Sequence, residues 1–232
     1  MRSTVSTWSI RHTAFVLVVL GACFALPAHA MLTARAIGAI VHMPSRGISN
    51  QVICETGWLP SSGGTLGYYD PDVNVAGILT STYMEAHGHD DGCEGESDAD
   101  LDQVVVFPGD ANQIEFTSMT IAHGDTCCDP EDKDFKAAIF TELKIGGVLI
   151  PVTGEPNQTI DVPGLGQVVL NEVEHHHDDD CDDDNMTVNG VHVYLAGGES
   201  VILGSVQHDH DNDCCHTPTK PTSWGSVKNR YR

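Results

Sequence analysis

The chain is short of cations. Its 232 residues include 11 Lys and Arg against 33 Asp and Glu, for a formal net charge of −22, and a surface of that sign repels phosphate backbones and anionic headgroups. Nucleic acid and anionic membrane are therefore excluded as partners, and metal cations are the natural counterpart. Aromatics are few, with Phe 6, Tyr 5 and Trp 3. After residue 30 no stretch approaches the run of about 18 apolar residues that a helical membrane span requires. Amphipathic helical periodicity is missing from the same region. So are a Cys-x-x-Cys-His haem site, His-Glu-x-x-His, Gly-x-Ser-x-Gly and a phosphate loop. The expectation is a protein that is not an enzyme.

What is present begins with an export signal. Arg2, Arg11 and His12 precede the apolar run Thr13 to Leu26, and Ala28-His29-Ala30 supplies a small-x-small cleavage pattern. Residues 1–30 are read as this signal, which places the mature protein outside the cytoplasm: secreted, extracellular or at the cell surface, with the periplasm as the other compartment. Lipid attachment at Cys23 is the alternative way of processing the leader. Residues 31–216 are read as one domain and 217–232 as a separate tail. That tail carries Lys220, Lys228, Arg230 and Arg232 with no acid, and includes Pro218, Pro221, Ser223 and Ser226. It reads either as a docking segment for an acidic body or as a frayed terminus.

Many Gly and short runs rich in Val, Ile and Thr, separated by Gly, Pro and Asn turns, predict an all-β fold, an antiparallel β-sandwich with long acidic loops. Strands are expected over Thr33 to His42, Gln51 to Trp58, Val73 to Glu85, Val104 to Phe107 and Ile114 to Ala122. The second half adds Phe135 to Lys144, Val148 to Val152, Thr159 to Val162, Gln167 to Val173, Met186 to Leu195 and Val201 to Gln207. Gly63 to Pro71 reads as turns.

One pattern recurs four times, His followed by Cys four residues later: His89 to Cys93, His123 to Cys127, His177 to Cys181 and His210 to Cys214. These four knots span His87 to Asp102, His123 to Asp134, the region around His177, and His208 to His216. Each follows an apolar run. A hairpin returns the chain to the side it left, so knots one and two are neighbours, as are knots three and four. Four strands between the pairs would put all four at one end of the sandwich; a count wrong by one would put the pairs at opposite ends.

Imidazole with carboxylate suits borderline divalent ions, Cu(II), Zn(II) or Ni(II). The candidate ligands are His87, His89, His123, His175, His176, His177, His208, His210 and His216, with Asp90, Asp125, Asp178 and Asp211. His87 with His89, and His208 with His210, are spaced i, i+2, so in extended chain both members of a pair face one way. Asp98 to Asp102 and Asp129 to Asp134 cluster hard oxygens of the kind Ca(II) takes. Export favours disulfides over thiolate ligands, with candidates Cys54, Cys93, Cys127, Cys128, Cys181, Cys214 and Cys215. Seven is odd, which leaves one free thiol or one bridge between molecules. His42 and His192 fall inside strand runs and read as packing or surface residues.

The segments Thr141 to Gly147, Pro156 to Glu172, Thr187 to Leu195 and Val201 to Ser205 resemble the choice-of-anchor P family of exported bacterial β-proteins. The resemblance rests on Gly turns and apolar strands and covers the second half best, with a weaker match at Ala34 to Ile40. It implies a β-fold and attachment to a cell surface. The knots are not a general feature of that family.

Three functions remain open on these residues. The first is an exported protein whose knots hold divalent metal. The second is a structural subunit of an extracellular filament or surface layer, self-associating through the knots or through disulfides between molecules. The third is a copper-dependent redox enzyme, against which stands the placing of the His in acidic loops too loose to preorganise a catalytic ion.

Overall fold

The structure is a computed structural model that describes residues 32–59, 63–90, 94–126, 134–177 and 184–210. The expected leader, the tail, the six cysteines of the knots, Asp178, Asp211 and His216 lie outside the described residues.

Among the described residues, thirteen antiparallel strands form two facing sheets. The first holds, in spatial order, β10 (Gln158–Val162), β11 (Gly166–His177), β12 (Asp184–Leu195), β13 (Ser200–His210), β1 (Leu32–Met43) and β2 (Ile48–Glu55). The second holds β3 (Gly64–Val75), β4 (Leu79–Asp90), β5 (Glu94–Val106), β6 (Ile114–Thr126), β8 (Lys144–Ile145) and β9 (Val148–Leu149), with β7 (Asp134–Thr141) also paired to β6. The expected all-β sandwich is what forms. Its core is one layer between the sheets, where β1 and β13 pack over β4, β5 and β6. Ala36, Val41, Met84, Leu101, Ile121, Val188 and Leu203 all lie within it.

The long strands share a feature that fixes the shape of both sheets. Alternate side chains of a strand should face one side, yet in each of these the buried series shifts by one residue near its middle. Along β5 it runs Ser97, Ala99, Leu101, then Val104 and Val106; along β6, Ile114 and Phe116, then Met119, Ile121 and His123. β13 does the same with Val201 and Leu203, then Val206 and His208.

The reversals line up across each sheet. In the first sheet they fall at Asn171, Gly190, Gly204, Gly38 and Cys54, each bracketed by regular pairs such as Leu170↔Val191 and Glu172↔Asn189. In the second they fall at Asp72, Thr82, Gln103, Thr117 and Glu142. Alternate strands carry a left-handed residue there: φ is +52° at Asn171, +59° at Gly204 and +54° at Cys54, then +60° at Asp72, +48° at Gln103 and +57° at Glu142. Asn, Asp and Gly accept that conformation readily, whereas Cys54, Gln103 and Glu142 are held in it by neighbouring strands. At Gly204 a Cβ would stand 2.5 Å from Met119 Cε and 2.9 Å from Ile121 Cγ2, so a larger residue forces its neighbours to shift.

Several expectations are corrected by this geometry. Gly63 to Pro71 is not a turn region but most of β3, exposed on both faces from Gly64 to Asp72 and so without an alternating signal. Val73 to Glu85 is not one strand, because the Ile78 N–H donates to Val75 O (2.8 Å) in a turn that separates β3 from β4. Most of knot one is strand: β4 runs to Asp90 and β5 starts at Glu94. Cys54 is a free, buried thiol rather than half of a disulfide, and its Sγ donates to Tyr68 O and Met84 O, each at 3.2 Å.

Candidate metal centre at one end of the sandwich

β4 and β6 end at their knots while β5 and β7 leave from them, and β11 and β13 end where β12 and β1 start. Contacts between the sheets show that these are the same end. His208 of β13 meets Ser97 of β5, with 2.8 Å between Nε2 and Oγ, and the rings of His208 and His123 are 4.3 Å apart at their centroids. Turns of both sheets meet at the far end, where Asn112 Nδ2 donates to Pro163 O (3.0 Å) and Arg46 Nη1 donates to Gly77 O (3.1 Å). The strand ends bordering all four knots therefore converge on one end; five strands, β7 to β11, intervene rather than the four expected, but β7 and β8 run in succession along β6 as a single crossing.

Sequence alternation explains which knot residues turn inward. Once the reversal has been passed, even-numbered positions of β4 and β13 and odd-numbered positions of β5 and β6 face the core. That places Asp90, Ser97, His123 and His208 between the sheets, at 2%, 0%, 0% and 2% exposure. In register, Ser97 lies between Gly88 and His123, and His208 between Ala34 and Met186. His175, which is exposed, pairs with Met186 from the other side. One step nearer the end, the register sets Asp125 against Gly95, His177 against Asp184 and His210 against Leu32. Asp125, His176, His177 and His210 are placed by this register alone.

The pair His87 and His89 does face one way, as its spacing predicts, but onto the outer surface of the second sheet. There His87 Nδ1 lies 3.3 Å from Asp98 Oδ1 and His89 Nδ1 lies 2.9 Å from Thr65 Oγ1. Burial pushes the Asp98 carboxyl above its usual range, against the opposing pull of His87. Asp98, Asp100 and Asp102 alternate with the buried Ala99 and Leu101 along β5. They form a stripe on a strand, not a gathered oxygen cage, and Asp100 accepts a hydrogen bond from Thr120.

The knot histidines whose side chains are described thus form two groups, an interior one of His123 and His208 and an exterior one of His87 and His89, with His175 at the edge formed by the end of β11. All five sit on strands, which removes the objection that loops hold them too loosely.

One group was not foreseen. Among the described residues, the three-residue set whose ligand atoms all lie within 4.8 Å of one another is Glu172, Glu174 and His192. Glu172 is buried on the outer side of the first sheet. Its Oε2 accepts from His192 Nδ1 (2.6 Å) and from Asn189 Nδ2 (2.8 Å), and its Oε1 accepts from the Tyr194 hydroxyl. Burial alone would raise the Glu172 pKa, but the hydrogen bonds from His192, Tyr194 and Asn189 outweigh it and hold the carboxyl below its usual range. The Tyr194 hydroxyl is pushed well above its ordinary value, by burial first and then by its bond to Glu172. His192, read from the sequence as a packing or surface residue, is buried and stacked on Tyr194 with 3.7 Å between ring centroids. What the sequence reading missed is its carboxylate partner. The available signal was the outward series Asn189, His192, Tyr194 on the strand paired with that of Glu172, with Asn189 directly opposite the carboxylate. In comparisons with known proteins, no family model, no curated protein and no solved structure matches the chain.

Proposed function

We propose that this is an exported protein that binds divalent metal of the Cu(II) or Zn(II) type through the knot end of its sandwich. The observation that carries this reading is the meeting of His123 and His208, one from each sheet, within 4.3 Å at the end on which all four knot-bearing strand ends converge. Two imidazoles presented from rigid strands, with Asp90 buried on the same inner face, supply the donor types such ions prefer. The remaining knot histidines and aspartates would extend the same end as further ligands, and the six knot cysteines would staple it by disulfides. The test is elemental analysis of secreted protein after gel filtration. Cu(II) or Zn(II) should remain in simple ratio to the chain and fall when His89, His123, His177 and His210 are changed to Ala. A double change limited to His87 and His89, which lie on the outer surface of the second sheet, should leave the metal held by His123 and His208 in place. Unchanged metal in the quadruple variant refutes the reading.

A second reading, a subunit of an extracellular assembly, draws on β3. Leu66 and Tyr68 pair with Gly88 and Ala86, whose side of the sheet faces the core, yet they are 41% and 64% exposed. From Gly64 to Tyr69 this edge strand carries no charge, and uncharged edges favour strand addition by another copy.

A further inference from the structure

We propose a second divalent-cation site, formed by Glu172, Glu174, His192 and the side-chain oxygen of Asn189 on the outer face of the first sheet. It does not rest on the knot-end reading and is separate from it. His192 stands six residues beyond Met186, the partner of His208, or about 20 Å along a strand that rises roughly 3.3 Å per residue.

The conformational reversal creates the site. Glu172 and Glu174 lie on one side of the row marked by Asn171 and Gly190, while His192 lies on the other. In register Glu174 is opposite Thr187, five positions from His192, so on a flat strand the two would be far apart. Here their ligand atoms fall within 4.8 Å of one another. The outward residues beside the row are buried, with Glu172 and His192 each at 7% exposure and Asn189 at 2%.

A hydrogen-bonded network alone does not account for the group. Asn189 gives its Nδ2 to Glu172, but its Oδ1 is buried and has no hydrogen-bond partner. Buried amide oxygens are seldom left so, because the lost hydration is not recovered. The carboxylates of buried Glu172 and half-buried Glu174 also lie within 4.8 Å of each other, where partial loss of water strengthens their repulsion. A cation beside Oδ1 answers both conditions. The donor set of one imidazole, two carboxylates and one amide oxygen suits Zn(II) and its neighbours in the first transition row. In the metal-free form the proton on His192 Nδ1 takes the place of the ion against Glu172.

Zn(II) alone is the probe, titrated into the full secreted chain and followed by ring nitrogen correlations of the histidines and by ion counting in native mass spectrometry. The proposal expects the His192 ring signals to move with added Zn(II). It also expects Glu174→Gln, at a half-buried position that a folded protein should tolerate, to weaken one equivalent at least tenfold. His192→Gln should abolish that equivalent. Changes at His123 and His208 should leave the His192 response intact, so failure of the knot-end reading and failure of this one are distinguishable. His192 signals that stay fixed at saturating Zn(II), or a folded Glu174→Gln variant with wild-type stoichiometry and affinity, would overturn the proposal.

Discussion

His123 and His208 are buried against each other although they are supplied by different sheets, β6 and β13, and His208 is anchored to a third strand through Ser97. An ion held by both rings would join the sheets at their open end, so binding should appear as stability. Cu(II) or Zn(II) at a hundredfold excess over its dissociation constant adds about 2.7 kcal/mol. Thermal unfolding with metal and with chelator should show that increment in the wild type and its loss in His208→Ala.

The reversal row makes a different prediction. Gly204→Ala places a methyl 2.5 Å from Met119 Cε on a residue with φ of +59°. Overpacking costs roughly 1–3 kcal/mol and the left-handed backbone about 1–2 more. In a Met119→Ala background the share of the steric cost set by Met119 should disappear, while the contact with Ile121 Cγ2, 2.9 Å from the new methyl, and the backbone part remain. Chemical denaturation of the four proteins in the cycle measures this coupling, and simple additivity would show that Met119 does not set the limit.

Cys54 resolves the odd cysteine count. It is a single buried thiol in the middle of the sandwich, and the remaining six candidates are an even number that can pair within one chain. Protein denatured without reductant should react with one equivalent of a thiol reagent if the six knot cysteines are paired, and Cys54→Ala with none. Burial, aided by the nearby charge of Asp70, raises this thiol from 9.0 to about 11. The folded state therefore holds its proton more tightly than the unfolded state. The contribution is fully present below pH 9 and is lost as pH climbs from 9 through about 11. The alkaline limb of a stability profile should be correspondingly flatter in Cys54→Ala.

Much of the fold could be read from the sequence because burial on one face leaves an alternating record, as at Met84 and Ala86 or at Val191 and Val193. The reading failed where that record changes phase. Leu101 and Val104 are both core residues three positions apart, a spacing that looks like the end of one strand rather than its continuation. Asp98 to Asp102 does alternate with Ala99 and Leu101, but the density of charge drew the eye to a loop. β3 left no record because both of its faces are wet from Gly64 to Asp72. For the site, the His-to-Cys spacing located the end of the molecule but not the direction of any side chain. That direction depends on the reversal several residues earlier, which a count by twos does not contain. The same reversal hides the approach of Glu174 to His192.

Self-association is predicted to depend on β3. A Lys in place of Tyr68, 64% exposed on an uncharged edge, should suppress association seen by sedimentation at high concentration, since charge on an edge strand opposes pairing with another copy. Equal association by the variant would remove β3 from consideration.

The central claim is that His123 and His208 hold metal, and X-ray absorption at the copper edge tests it most directly. In protein loaded with one equivalent of Cu(II), the account predicts nitrogen and oxygen donors with the outer scattering of at least two imidazoles. A folded His123→Gln, His208→Gln double variant should lose that imidazole scattering. The same spectrum in the double variant as in the wild type would contradict the account.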